Sequence, residues 1–147
     1  MWNYIAFEEL SALELQRIYK ARVDVFVVEQ NCPYQEVDDT DLESTHIFKE
    51  ENNELCAYMR VIPTEDNIHI GRVLVARSHR KSGLGRELVA RGLEYIETIY
   101  PGMPIYAQAQ AHLEDFYGSF GFETVSEVYL EDEIPHIDMI MPAKELG

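Results

Sequence analysis

The sequence predicts an α/β (α+β) fold, a mixed β-sheet carrying helices on its faces, and three observations point to it. Segments with the spacing of strands alternate with segments of helical spacing, and a further group of extended segments closes the chain. A length of 147 residues suits one domain, spanning residues 1–147, that buries about two-thirds of its unfolded surface. The 46% apolar and 11% aromatic content is that of a globular chain, and no Gly/Ser/Pro-rich linker, repeat or low-complexity tract divides it.

A short strand over Asn3 to Phe7 opens the chain. Ser11 with Glu14 is a capping-box pattern; it starts a helix whose apolar face is Leu15, Ile18, Tyr19, Val23 and Phe26 and which ends near Gln30. The polar, acidic stretch NCPYQEVDDTDLEST has no periodicity. A hairpin follows, from His46 to Lys49, through a Glu-Asn-Asn-Glu turn, to Leu55 to Ile62. Beyond a turn at Pro63 to Asn67, Ile68 to Val75 form a strand that feeds the loop RKSGLGREL and a long helix stopping at Tyr100-Pro101-Gly102. Pro104 to Ala109 read as a strand and Ala111 to Phe120 as a short helix ended by Gly121. Phe122 to Tyr129 and Ile137 to Met141 are the closing strands.

The loop stands out by charge. The formal net charge is −15, yet between Arg72 and Arg91 six of the twelve Lys and Arg residues face the single acid Glu87. Segregation this strong suggests an anionic ligand. Gly83 and Gly85 remove side chains where backbone N–H groups must come close to it, and the apolar positions Leu84, Leu88, Leu93, Ile96 and Tyr100 follow helical spacing from there. The loop therefore sits at a helix N-terminus, where unpaired N–H groups and the macrodipole form a phosphate site.

Other classes are excluded by residues. There is no Gly-x-x-x-x-Gly-Lys-Ser/Thr run, and a dinucleotide fingerprint fails because Leu88 stands where its third glycine belongs. The acidity argues against nucleic acid as a partner. The start MWNYIAFEEL has no basic leader region, and no apolar run approaches the ~20 residues that span a bilayer, so the expectation is a cytoplasmic protein without a membrane partner. Cys32 and Cys56 are far apart with no CxxC, which argues against a structural metal and a disulfide.

Arg80-x-x-Gly83-x-Gly85 after Val73-Leu74-Val75 resembles the acetyl-CoA pyrophosphate loop of the GNAT N-acetyltransferase superfamily. Ala111-x-x-x-x-Phe116-Tyr117-x-x-x-Gly121-Phe122 is similar to that superfamily's later helix. The run from Arg22 through Phe26, Glu29, Gln30, Pro33, Tyr34, Glu36, Asp38 and Asp41 to His46, and the segment Glu131 to His136, resemble its ElaA-like branch. The resemblance implies a mixed, mostly antiparallel sheet of about six to seven strands flanked by about four helices. It also implies direct transfer of an acetyl group from acetyl-CoA to a primary amine of a small molecule or peptide, without a metal. A non-catalytic acyl-CoA or nucleotide-binding module on the same fold is the alternative, and a homodimer is left open.

Residue by residue, the resemblance assigns the phosphates to the N–H groups of Lys81, Ser82, Gly83, Leu84, Gly85 and Arg86, with charge from Arg80 and Lys81. The pantetheine arm goes to Val73, Leu74 and Val75, whose amides can face the thioester oxygen, and to Gln110. Tyr117 becomes the acid that meets the departing thiolate. A lysine-like amine is neutral only about one time in a thousand near neutral pH, so a base is needed. His69 is the first candidate, and His46, His112 and His136 compete with it. Glu29, Tyr34, Glu36, Asp38, Asp41 and His46 are expected at the acceptor site, where clustered carboxylates would favour a cationic amine.

Overall fold

A computed structural model describes residues 1–143. The elements run β1 (Trp2–Ala6), α1 (Ala12–Arg22), a π-helical segment Val23–Glu29, β2 (Thr45–Glu51), β3 (Glu54–Pro63), β4 (Ile68–Val75), α2 (Leu84–Ile99), β5 (Ile105–Gln110), α3 (Glu114–Gly118), β6 (Glu123–Thr124), β7 (Tyr129–Glu131) and β8 (Ile134–Met141). The capping box forms as expected: Ser11 Oγ accepts from the Glu14 amide at 3.1 Å and Glu14 Oε1 from the Ser11 amide at 2.9 Å. The helical run predicted to end near Gln30 does continue to Glu29, but after Arg22 it widens into a π-helical segment.

All the strands join one sheet in the order β1-β2-β3-β4-β5-β8-β6, with β7 also paired to β8. Every pairing is antiparallel except β4 with β5. The sheet has eight strands and, among the described residues, three α-helices, where about six to seven and about four were expected. The extra strand lies at the end of the chain. The stretch expected as a single strand over Phe122 to Tyr129 breaks into β6 and β7, and Asp132 and Glu133, at φ 51° and 66°, make the two-residue turn into β8. Asn52 and Asn53, at φ 53° and 64°, close the β2–β3 hairpin in the same way.

Two apolar layers cover the sheet. Ile18 and Val25 pack with Phe48, Tyr58 and Leu74 on one face, and α2 and α3 bring Leu88, Val89, Ile96 and Tyr117 onto Met59, Val61, Ala107 and Met139 on the other. The second contact is close: a Cβ at Gly92 would lie 2.4 Å from Met59 Sδ, so a larger residue there would have to push the end of that side chain aside. No helix among the described residues is long and apolar enough to cross a membrane.

Candidate active site

The sheet opens in its middle. The parallel pairing of β4 with β5 covers only Ile68–Ile70 against Ile105–Ala107. Beyond it, Gly71 to Val75 of β4 and Gln108 to Gln110 of β5 line a cleft of about 880 Å³. The two strands leave this edge of their backbones without a ladder partner, which makes it available to an extended ligand. β4 is also bulged here. Tyr58 pairs with Leu74 and Arg60 with Gly71, so Arg72 and Val73 together oppose Met59, and Arg72 takes a left-handed φ of 51°. Phe116 and Tyr117 reach the cleft from α3, while Val25, Phe26 and Tyr34 reach it from the opposite face of the sheet.

The basic loop stands at one end of this cleft. Gly83 is the N-cap of α2 at φ 80°, a conformation that favours glycine, and a Cβ on it would meet nothing within 4 Å. The amides of Leu84, Gly85 and Arg86 form the first turn of α2, which has no intrahelical acceptor for them. Arg80 is fixed by its Nε to the Val75 carbonyl at 3.0 Å and by both Nη atoms to the Glu29 carboxylate at 2.7 and 3.0 Å. That hydrogen bond lowers the Glu29 pKa. Ser82 Oγ donates to the His79 carbonyl, and Arg86 lies over the Phe120 ring at 4.8 Å. Of the residues expected to hold the cofactor, Val73, Leu74, Val75, Arg80, Gly85, Gln110 and Tyr117 line the cleft; Lys81, Ser82, Gly83, Leu84 and Arg86 do not.

Tyr117 is 5% exposed, wedged edge-on against Phe116 and Phe122, and burial raises its pKa to about 12. Its hydroxyl has no hydrogen-bond partner among the described residues, although its ring lines the cleft. His69, His112 and His136 line the cleft too, whereas His46 is fully buried outside it, bonded to Tyr58 Oη at 2.6 Å and to the Asp41 carbonyl at 3.0 Å. Gln110 donates to Gln30 Oε1 at 3.2 Å, a link across the cleft between β5 and the end of the π-helical segment.

The carboxylates expected at the acceptor site form a closed ring of alternating charge with three arginines. Arg22 meets Glu36 at 2.5 Å and Asp41 at 2.7 Å; Arg60 meets Asp41 at 3.1 Å and Asp38 at 2.7 Å; Arg72 meets Asp38 at 3.5 Å and Glu36 at 2.8 Å. Tyr34 Oη donates to Glu36, and burial together with that bond raises the Tyr34 pKa. Glu36 and Asp41 are buried and outside the cleft; Asp38, Arg60, Arg72 and Tyr34 line it. The expected open acidic face is thus replaced by a neutral network, because carboxylates buried this deeply need cationic partners. Glu29 is likewise occupied, by Arg80. Acids that line the cleft without an ion pair among the described residues are Glu131 and Asp132, for which no local pattern in the sequence signals a place at the site. Glu51, Cys56 and His79 gather three potential ligand atoms within 4.8 Å outside the cleft.

This arrangement agrees with what the chain is similar to. The family model described as acetyltransferase (GNAT) domain matches residues 12–143. Protein ElaA of Escherichia coli K12 is 45% identical over 143 residues, 94% of each chain, and its crystal structure superposes with a TM-score of 0.92 over 95% of this chain and 98% of that one. A crystal structure of an acyl-CoA N-acyltransferase from Pseudomonas aeruginosa is 42% identical with a TM-score of 0.91, covering 95% of this chain and 98% of that chain. An aminoglycoside 6'-N-acetyltransferase complexed with coenzyme A shares the fold at 14% identity and a TM-score of 0.70, over 95% of each chain. With a family model over residues 12–143 and a relative 45% identical over nearly its whole length, the chain belongs to the acetyltransferase (GNAT) family, in the ElaA-like branch.

Proposed function

We propose that the cleft takes acetyl-CoA and transfers its acetyl group directly to a primary amine of a small molecule or peptide. The observation that carries the reading is Tyr117, a buried phenol with an unpartnered hydroxyl in the wall of the same opening that has Arg80 and Gly85 at its end. The first-turn amides of α2, with Arg80 and Lys81, suit the phosphates of coenzyme A. The unpaired edge of Val73 to Val75 suits the amide-bearing pantetheine arm, which adds to it as a strand would. An acyl-CoA laid this way brings its thioester towards Tyr117. With its pKa raised to about 12 the phenol stays protonated at neutral pH and can donate to the departing sulfur. A base from among the cleft histidines deprotonates the amine. Glu131 and Asp132 favour a cationic acceptor by steering it.

The test is thiol release from acetyl-CoA with a panel of amines, beside a thermal-shift titration with acetyl-CoA alone. Tyr117→Phe is expected to keep cofactor affinity and to lower turnover roughly a hundredfold or more. Stabilisation by acetyl-CoA with no thiol release from any amine would leave a binding module, and parental turnover in Tyr117→Phe would return the residue to the core.

A further inference from the structure

The strands on the far side of the cleft carry a polar face. Along β5, Tyr106, Gln108 and Gln110 alternate with the buried Ala107 and Ala109, and the antiparallel register sets Gln108 opposite Asp138 and Gln110 opposite His136 on β8. Through the parallel pairing, His69 of β4 stands beside Tyr106 in the same row. The cleft histidines are therefore presented to an amine on different footings.

A general base needs a ring nitrogen with a free lone pair, on a ring that cannot turn away. Of His69, His112 and His136, only His136 has a hydrogen bond, among the described residues, to a group that can do nothing but accept: its Nδ1 lies 2.7 Å from the Ile134 carbonyl oxygen. Nδ1 therefore carries the proton and Nε2 the lone pair. The ring also stacks on Tyr129 at 6.2 Å between centroids, and Tyr129 is held in turn by its hydroxyl on Asp138 at 2.5 Å. His69 has no such hydrogen bond; it packs against Tyr106 at 4.6 Å, and burial makes it a weaker base. His112 has neither a hydrogen bond nor a ring contact among the described residues.

We infer that His136 is the general base of the proposed transfer, an assignment that rests on the cleft being an acyl-CoA and amine site. Nε2 takes one proton from the incoming ammonium and passes it to solvent. The freed nitrogen lone pair forms the N–C bond to the acyl carbon, and the C–S bond breaks with its electron pair on sulfur. The thiolate takes a proton from Tyr117, and the second amine proton, lost as the amide forms, restores the phenol. The balance is one ammonium and one acyl-CoA in, one amide, one thiol and one proton out.

The test uses two nucleophiles of nearly the same size that differ in charge: ethylamine, a cation at neutral pH, and methoxyamine, which is already neutral. His136→Asn keeps an N–H where Nδ1 stands, so the bond to the Ile134 carbonyl can survive while the base is gone; His136→Gln serves if the Asn variant does not fold. Turnover with ethylamine is expected to fall roughly a hundredfold or more, turnover with methoxyamine only a few-fold, and coenzyme A affinity by calorimetry to stay within about twofold. Equal losses on both nucleophiles would make His136 structural, and no loss on either would remove it from the chemistry. A selective loss of ethylamine turnover in His69→Gln, absent in the His136 variants, would move the base to His69. Each of these overturns the inference alone. A parent protein that binds coenzyme A yet transfers to neither nucleophile, nor to any amine of the panel, overturns the proposed function and this inference with it.

Discussion

Arg22, Arg60 and Arg72 meet Glu36, Asp38 and Asp41 in a ring of six ion pairs, whereas of Arg80, Lys81 and Arg86 before and at the start of α2 only Arg80 has an ion pair among the described residues, with Glu29. The side chains of Arg22, Glu36 and Asp41 in the ring are at most 3% exposed, and that of Arg80 is 37% exposed. Depth explains the contrast. A guanidinium withdrawn from water must be matched charge for charge, and removing one partner leaves the other stranded. At the surface water and salt screen the surplus, so an unmatched positive loop is tolerated and is free to meet an anion. The same side-chain chemistry thus builds the wall of the cleft on one side and a candidate phosphate site on the other.

On this contrast the ring is expected to serve stability and the loop binding, a division that can be broken experimentally. The largest effect is expected from Arg22→Met, which leaves Glu36 and Asp41 buried beside each other without their shared cation. Urea unfolding should show a loss of about 3–5 kcal/mol. Replacing Glu36, Asp38 and Asp41 together by Gln, Asn and Asn should also destabilise strongly, by stranding three guanidinium groups; a well-folded triple variant would show that the ring is not what holds this region.

Gly83→Val sharpens the other side. Residue 83 sits at φ 80° with open space around it, so the valine is strained in its backbone and covers the amides proposed to hold the cofactor's phosphates. Coenzyme A affinity is expected to weaken at least tenfold, about 1.4 kcal/mol. Calorimetry on a folded variant with parental affinity would take the loop out of the site.

The smallest effect belongs to Glu29→Gln. Because Arg80 lowers the Glu29 pKa, the pair stabilises the fold above the unfolded carboxylate value of about 4.3, and that contribution is lost as the pH falls from there towards the folded value. Partial exposure limits it to less than about 1 kcal/mol. Freed from its competitor, Arg80 should bind coenzyme A modestly tighter, in contrast with the losses at Gly83. A large fall in stability on making this change would mean that the loop, too, is built on its ion pairs.

Much of this was legible in the residues. The capping box at Ser11 and Glu14, the Asn52-Asn53 turn, the glycine-capped start of α2 and the strand Ile68 to Val75 are local patterns, written by backbone preferences within a few residues. The polar row Tyr106, Gln108, Gln110 carried a period-two signal that could have marked β5 as a cleft wall. The turn at Asp132 and Glu133 was harder to see, because nothing in two consecutive acids announces two positive φ angles.

Charge is where sequence and structure part. By itself the sequence determined the order of elements, the place of the basic loop and the family resemblance, all of which depend on residues close together in the chain. Only the tertiary structure decided which charges remain free. Counting along the chain put Arg72 with the basic loop and Glu36, Asp38 and Asp41 in an acidic cleft, but the fold brings Arg22, Arg60 and Arg72 from α1, β3 and β4 onto those acids. Ion pairing falls off over a few ångströms of space, not of sequence, and burial decides whether a pair is obligatory. The same holds for the place of His136: its ring is fixed locally, by the carbonyl of Ile134 two residues back, but only the pairing of β8 with β5 sets it opposite Gln110 in the wall of the cleft.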